Sequence, residues 1–168
     1  MSASHRRVSV TVAVAALVTA LAVALVAAGC TALAGGGPAA PSPSGKAAAS
    51  CRSLHDRLPE RVAGQQRITL DPASKYTAAW GDPAIELRCG VPRPERLSPS
   101  SEHYNPTAEA AEVNGVSWLL EQQDEGYRFT TTDRTANVEL TVPDAYAPEI
   151  GALTDLASAV RASVHRRA

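Results

Sequence analysis

The sequence predicts an α+β fold, in which a small, mostly antiparallel sheet of about five strands packs against an N-terminal and a C-terminal helix. Three observations support this prediction. Runs of alternating apolar and polar residues occupy positions 116–142. A stripe of apolar residues at helical spacing follows Pro148, and a shorter amphipathic segment begins near Cys51. The helices are therefore expected at the two ends of the domain, with the sheet between them.

The most regular part of the predicted sheet consists of three consecutive strands joined by short polar turns. Such a pattern is typical of an antiparallel meander with one apolar face. Trp118 belongs to the apolar alternation and is therefore expected in the core. The alternating apolar-face positions are Val116, Trp118, Leu120, Tyr127, Phe129, Thr131, Val138, Leu140 and Val142.

The elements before the meander are shorter. Ser50 can cap a helix over about residues 51–58, which Pro59 would end. Short strands are expected at about residues 67–70, 76–80 and 84–89, and a proline-rich loop at 92–106. Because the third of these strands alternates, Cys89 should point inward, toward the first helix.

A second helix is predicted after Pro148, a residue suited to a first helical turn. Its apolar residues recur at spacings of three and four, which gives one stripe able to lie across the apolar face of the sheet. The stripe consists of Ile150, Leu153, Ala157, Val160 and Val164.

Residues 1–34 are interpreted as a signal or anchor segment. Residues 1–7 are basic, and residues 8–29 form an uncharged run of 22 residues, long enough to cross a bilayer as a helix. The basic start favours an orientation with the rest of the chain outside the cytoplasm. The run ends in Ala27-Ala28-Gly29-Cys30, which resembles a bacterial lipobox except that Ala27 replaces the usual Leu. Lipidation of Cys30, an uncleaved transmembrane anchor, and cleavage with release all remain open.

Residues 35–50 are rich in Gly, Pro, Ser and Ala and are predicted to form a disordered linker. Residues 51–168 are then the extracytoplasmic domain. Together these assignments describe a domain attached to a membrane, either by its N-terminal segment or by a lipid, and held away from it by a tether.

Cys51 and Cys89 are the two cysteines of the predicted domain, and a disulfide between them is expected in an oxidising compartment. The bond would close a loop of about 39 residues and stabilise the fold by about 4 kcal/mol on the chain-entropy estimate. A zinc site is disfavoured because the two cysteines lack both metal-ligand spacing and a nearby His. No metal or other cofactor is predicted.

The charge distribution argues against a nucleic-acid partner. Residues 51–168 carry 13 basic and 17 acidic residues, a net formal charge of −4. Phosphate binding requires a clustered basic face, and the arginines of this sequence are scattered.

Candidate catalytic residues are few, and each has a simpler structural interpretation. Glu102-His103-Tyr104 is polar, as loop tips usually are, and Asp82 lies in a Gly-Asp-Pro turn near Glu86. No nucleophile elbow, phosphate-binding loop or dinucleotide fingerprint is present. The possible binding surface is assigned instead to Tyr76, Trp80 and Arg88.

Several segments, spread over essentially the whole domain, resemble an actinobacterial family of small anchored envelope proteins classed as domain of unknown function 3515. The Trp-Gly to Arg-Cys-Gly-Val stretch is the most specific of them. The resemblance implies an exported location and a paired cysteine, and it implies no activity. The matching segments are Cys51 with Leu54 and Leu58-Pro59, residues 79–85, 87–91, 113–116 with Trp118, 129–131, 133–134, 138–143 and 152–156.

These observations predict an uncharacterised cell-envelope protein, not an enzyme, whose anchored extracytoplasmic domain binds a protein or a cell-wall component. The alternative is an enzyme or enzyme accessory acting on an envelope polymer, with Glu86, Arg88 or Glu102 in a groove. A pocket of convergent polar groups with a shifted pKa would favour the alternative. An exposed flat patch containing Trp80 or Tyr76 would favour the binding protein.

Overall fold

The computed structural model describes residues 37–167. The segment 1–34 and Cys30 lie outside the described residues. Two helices and eight strands make up the regular structure of the described part, with two short 3-10 helices at Glu95–Leu97 and Asp144–Tyr146. In chain order the elements are α1 (Gly45–His55), β1 (Arg61–Val62), β2 (Gln65–Ile68), β3 (Thr77–Trp80), β4 (Ile85–Val91), β5 (Ala110–Val113), β6 (Val116–Gln123), β7 (Gly126–Thr131), β8 (Asn137–Pro143) and α2 (Ile150–Ser163).

All the strands join in one antiparallel sheet with the order β1-β2-β3-β4-β8-β7-β6-β5. Strands β1 to β4 form one meander and β5 to β8 another, and the two meet where β4 pairs with β8. The α+β class and the antiparallel sheet are confirmed. The expected number of about five strands is wrong, since the sheet within residues 37–167 has eight. The pattern missed β1 because it contains only two residues, and β5 because its residues are mostly exposed or half-exposed and so lack apolar alternation.

The predicted meander corresponds to β6, β7 and β8, which are neighbours in the sheet. The core lies between one face of the sheet and the two helices, and Trp118 is fully buried there as predicted. Ile85, Leu87 and Cys89 of β4 are also buried, which confirms the inward face of that strand. We call this face, which packs against α1 and α2, the inner face, and the opposite one the outer face.

Helix α1 differs from its prediction, because it begins at Gly45 and ends at His55 instead of covering residues 51–58. Residues 45–50, which the sequence assigned to the linker, form its first turns. The run Ala47-Ala48-Ala49 explains the difference, since Ala is the strongest helix former and Ala48 is buried. Ser50 therefore lies inside the helix and does not cap it.

Residues 37–44 run against β4 before α1 begins. The Nε of Arg88 donates a hydrogen bond to the carbonyl oxygen of Ala39 over 3.0 Å. Pro43 approaches Gly90 so closely that a Cβ at position 90 would lie 2.6 Å from the proline ring. Gly90 also has a φ of +92°, so only glycine suits both the backbone and the contact. This end of the tether is thus attached to the centre of the sheet.

The expected disulfide between Cys51 and Cys89 is present, with the two Cα atoms 5.5 Å apart. Cys51 lies in the middle of α1 and Cys89 on the inner face of β4, and both are buried. The bond therefore joins the first helix to a strand in the interior of the sheet.

Helix α2 packs on the inner face, with most of its predicted apolar stripe buried and Ile150 half-exposed. Its C-terminal end is held by the buried guanidinium of Arg134, which donates to the carbonyl oxygens of Val164 and Gly115. Arg167 in turn donates to the carbonyl oxygen of Arg134. Neither helix of the described part has the length and apolarity needed to cross a bilayer.

Candidate functional site

The pairing of the strands arranges the outer face as two rows of side chains that cross the sheet. Neighbouring side chains within a row lie on directly opposed residues, about 4.5–5.5 Å apart. The first row contains Thr77, Arg88, Glu139, Thr130 and Leu119, and the second contains Ala79, Glu86, Thr141, Arg128 and Glu121.

The proline-rich segment 92–105 folds over part of this face. Arg93 donates from Nη1 to the carbonyl oxygen of Thr132 over 3.3 Å, and the Nε of Arg96 lies 3.9 Å from an oxygen of Glu121. The segment is closed on itself by a hydrogen bond from the amide of Asn105 to the carbonyl oxygen of Arg96. Leu119 and Thr130 are consequently buried even though they belong to the outer face.

The space between this segment and the strands is a groove of about 500 Å³, which we call the sheet groove. Its lining is mostly charged and comes from β4, β6, β7, β8 and the covering segment. It contains four arginines, three glutamates and one histidine. The lining residues are Arg88, Val91, Pro92, Arg93, Pro94, Glu95, Arg96, His103, Asn105, Glu121, Arg128, Thr130 and Glu139.

An ion pair between neighbouring strands forms one side of the groove. The Nη1 of Arg88 lies 3.0 Å from an oxygen of Glu139, the residue directly opposite it in the sheet. The glutamate is mostly buried, with 14% of its side chain exposed, whereas the arginine is more accessible at 33%. The charge of this glutamate is therefore balanced inside the protein.

The other side of the groove has two arginines around a single carboxylate. Arg128 approaches one oxygen of Glu121 with its Nε, over 3.2 Å, and Arg96 approaches the other oxygen with its own Nε. The terminal nitrogens of both guanidinium groups have no hydrogen-bond partner among the described residues. This side of the groove therefore carries one more positive than negative charge, and several of its guanidinium N–H groups can still donate hydrogen bonds.

Glu86 occupies the second row, on the far side of Thr141 from Arg128. Burial raises the pKa of its carboxyl, an effect that the positive charge of Arg88 opposes and the negative charge of Glu139 reinforces. Glu86 lies next to the residues of the sheet groove but is not part of its lining.

The loop cluster Glu102-His103-Tyr104 contributes one residue to the groove. The Nε2 of His103 lies 3.7 Å from an oxygen of Glu95 at the rim, and both side chains are largely exposed. Tyr104 is also exposed, and Glu102 does not line the groove. The cluster is thus a polar rim with a single residue facing the groove.

The three residues assigned to a binding surface do not form one patch. Trp80 is fully buried, and its Nε1 donates to the carbonyl oxygen of Pro59 over 3.0 Å. Tyr76 is half-buried and accepts a hydrogen bond from Arg52. Arg88 is the member that lines the sheet groove. An exposed role for Trp80 does not fit the structure, because the inward alternation of β3 places its ring in the core.

Two smaller concavities lie elsewhere. One, of about 370 Å³, is bordered by His55, Arg67 and the turn that follows β2. The other, of about 170 Å³, lies between Tyr127, Phe129 and the start of α2. In the part of the chain that the structure describes, no three side chains are grouped so that they could hold a metal ion.

Residues 10–168 match the protein family described as "Protein of unknown function (DUF3515)". The chain belongs to this family. No curated protein and no solved structure matches it. The match of this DUF3515 member covers all the strands of the sheet and every residue of the sheet groove.

Arg128 and Glu139 alternate with the apolar positions of the predicted meander and therefore belong to its polar face, but no sequence motif singles them out. Arg93 and Arg96 lie in the predicted proline-rich loop. One signal could have identified them: in Pro92-Arg93-Pro94-Glu95-Arg96, charges are placed on a backbone that prolines restrict. Such a segment can present its side chains in a fixed direction, here toward the sheet.

Proposed function

We propose that this DUF3515 protein is an anchored component of the cell envelope whose extracytoplasmic domain binds a partner protein or a cell-wall component in the sheet groove. The location rests on the sequence of residues 1–34, and the tether supports it by leading from that segment into the domain. Binding is the activity that the groove supports best.

The observation that carries this proposal is the convergence of four arginines in one groove. Arg88 and Arg128 are partly buried and Arg96 is about half-exposed, so their guanidinium groups face the groove and can bind an anion there. Arg88 is matched by Glu139, whereas Arg96 and Arg128 share Glu121. A ligand that supplies the missing acceptors would complete this arrangement.

The groove is better suited to recognition than to catalysis. Glu121 and Glu139 already accept hydrogen bonds from arginines, and such a carboxylate is a weak general base. Glu95 and His103 lie at the exposed rim, where solvent would screen their charges. These features support a binding domain that is not an enzyme.

The proposal can be tested by photocrosslinking in the native cells. A photoreactive amino acid placed at His103 faces the sheet groove, whereas one placed at Lys75 is exposed at a different part of the surface. We expect a discrete crosslinked product from position 103 and none from position 75. Identical products from both positions, or none from either, would contradict binding in the groove.

The anchor requires a separate test, because three fates of residues 1–34 are open. If Cys30 is lipidated, a palmitate analogue should label the wild type, and Cys30→Ser should abolish the label and leave an unprocessed precursor. An unlabelled wild-type protein in the membrane fraction would indicate an uncleaved anchor, and one in the medium would indicate release.

The alternative function is an enzyme or enzyme accessory acting on an envelope polymer. One observation favours it, namely the raised pKa of Glu86 beside Arg88 and Glu139. A raised pKa shifts the carboxyl toward the protonated form that a general acid requires. Under this alternative Glu86→Gln would abolish the cellular function while leaving crosslinking from position 103 intact. Under the binding proposal the same substitution leaves both intact.

A further inference from the structure

We infer that the sheet groove recognises a carboxylate group, which binds between Arg96 and Arg128 on the side of their guanidinium groups that faces away from Glu121. This inference rests on the proposed function, because it names the chemical group that the groove takes. The same group occurs in acidic protein side chains and in the peptide part of cell walls, so the recognised chemistry is common to both sources.

The geometry around Glu121 carries the inference. Its two oxygens each contact the Nε of a different arginine, Arg128 at 3.2 Å and Arg96 at 3.9 Å. A guanidinium has five N–H donors in a rigid planar fork, and only the Nε edge is engaged here. Both guanidinium groups are thus brought to the same carboxylate, and their terminal nitrogens are still available.

The charge balance selects a singly charged ligand group. Arg96 and Arg128 together carry two positive charges, and Glu121 supplies one negative charge. The neighbouring pair of Arg88 and Glu139 is neutral by itself. One further negative charge would leave two arginines matched by two carboxylates, whereas a dianion would add an unmatched negative charge to a groove that Glu95 also lines.

The shape of a carboxylate also suits the site. Arginine binds carboxylates through two parallel N–H···O bonds, which fix orientation as well as charge. Because Glu121 and Arg128 come from paired strands, at directly opposed positions, the fork of Arg128 is held by the sheet. Arg96 lies on a segment restricted by Pro94 and fixed by the bond from Asn105. The site is therefore preorganised, which reduces the entropic cost of binding.

The experiment uses the full chain in detergent micelles and two families of probes. The first compares an N-acetylated, C-terminally amidated penta-glutamate peptide with a penta-glutamine peptide blocked in the same way, which has a similar shape and no carboxylate. The second uses muropeptides released from cell walls, with their carboxylates free or amidated. Inorganic phosphate serves as a competing dianion. Binding is measured by calorimetry, and thermal unfolding checks that each variant remains folded.

We expect at least one carboxylate probe to bind about tenfold more tightly than its uncharged counterpart, since charge-assisted hydrogen bonds are stronger than neutral ones. Arg128→Gln should remove this preference, and Arg128→Lys should weaken it, because the charge remains but the fork is lost. Arg161→Gln, at an exposed position of α2, is the matched control and should leave affinity within about twofold. Whichever probe binds identifies the source of the carboxylate.

A further variant changes the charge of the site while nearly preserving its shape. Glu121→Gln leaves both arginines without a charged partner, so it should increase competition by phosphate. Equal binding of charged and uncharged probes, or full carboxylate binding by a folded Arg128→Gln protein, would overturn the inference. Crosslinking from position 103 that persists in Arg128→Gln would refute carboxylate recognition while leaving the proposed binding function in place.

Discussion

Arg67 donates a hydrogen bond from its Nη2 to the Nε2 of His55 over 3.0 Å. Because a guanidinium can only donate, this imidazole nitrogen must accept, and the ring must be neutral. Burial, followed by the charges of Arg67 and Lys75, lowers the pKa of His55, although Asp56 opposes the effect. The contact that links the end of α1 to β2 therefore exists in only one protonation state of the histidine.

The first prediction is that acidification destabilises the domain through His55. Its pKa is lower in the folded than in the unfolded protein, so the unfolded state takes up a proton first as the pH falls through about 6.5. Stability should accordingly decrease below that pH. In His55→Gln this decrease should be smaller, as measured by the free energy of unfolding in urea between pH 7.5 and pH 5. His103→Gln, at the exposed rim, is the control, and an identical pH dependence in all three proteins would contradict the prediction.

The second prediction concerns Glu86, whose pKa is raised in the folded protein. Here the folded state holds its proton longer than the unfolded state, so the ionised carboxylate opposes folding once the pH rises above its usual pKa of about 4.3. Glu86→Gln should therefore be more stable than the wild type at pH 7, and the gain should disappear near pH 4. Denaturation curves at both pH values test this, with the exposed Glu102→Gln as the control. A loss of stability at pH 7 would indicate that the carboxylate is stabilised by Arg88.

The third prediction concerns the disulfide. Cys51→Ala/Cys89→Ala should lower the free energy of unfolding by about 2–5 kcal/mol, because the unfolded chain is no longer restricted by the crosslink. The measurement is chemical denaturation of the wild type and the double variant. In protein isolated from its native location, alkylation followed by mass spectrometry should detect neither cysteine as a free thiol. Two reactive thiols would contradict the bond and also weaken the proposal of an oxidising location, on which the expectation of the bond rested.

The fourth prediction concerns Arg134, which is buried and donates to Gly115 and Val164. Arg134→Lys keeps the charge but cannot reach both carbonyls at once, so it should cost about 1–3 kcal/mol of stability. Arg161→Lys, on the exposed face of α2, should change stability by less than about 0.5 kcal/mol. Thermal unfolding compares the two, and equal melting temperatures would mean that the tie between the β5–β6 turn and the end of α2 contributes nothing.

Patterns of alternation predicted the parts of the fold in which one face of a strand is buried over many residues. β6, β7 and β8 follow this rule, and so does the inward position of Cys89 on β4. The disulfide was expected because Cys51 and Cys89 are the two cysteines of the predicted domain. The predicted position of β2 was displaced along the chain, and β5 was not predicted at all. The residues of both strands are mostly half-exposed or exposed, so apolar periodicity does not mark them. The predicted start of helix α1 was too far along the chain, because Ser50 was interpreted as the N-cap although a helix-forming run of Ala precedes it.

The candidate site was less predictable, because it depends on contacts between distant parts of the chain. The sequence indicated that Arg128 and Glu139 share a polar face, which the strand pairing bears out. It could not indicate that Arg96, more than twenty residues before Glu121, returns to meet it. Such a contact is fixed by how the segment 92–105 folds over the sheet, and proline content alone does not specify that path.

The crosslink between α1 and β4 also determines how mechanical tension would travel through this domain. A force applied at residue 37 is transmitted along α1 to Cys51 and through the disulfide to Cys89. Residues 52–88 form the loop that the disulfide closes, so this force cannot extend them. Arg88, the residue before Cys89, lines the sheet groove and donates a hydrogen bond to the carbonyl oxygen of Ala39. Under the proposed function, a ligand in the groove and an anchor at the start of the chain would be connected through this disulfide and β4. That strand is paired with a neighbouring strand on each side, which would help it to resist displacement under load.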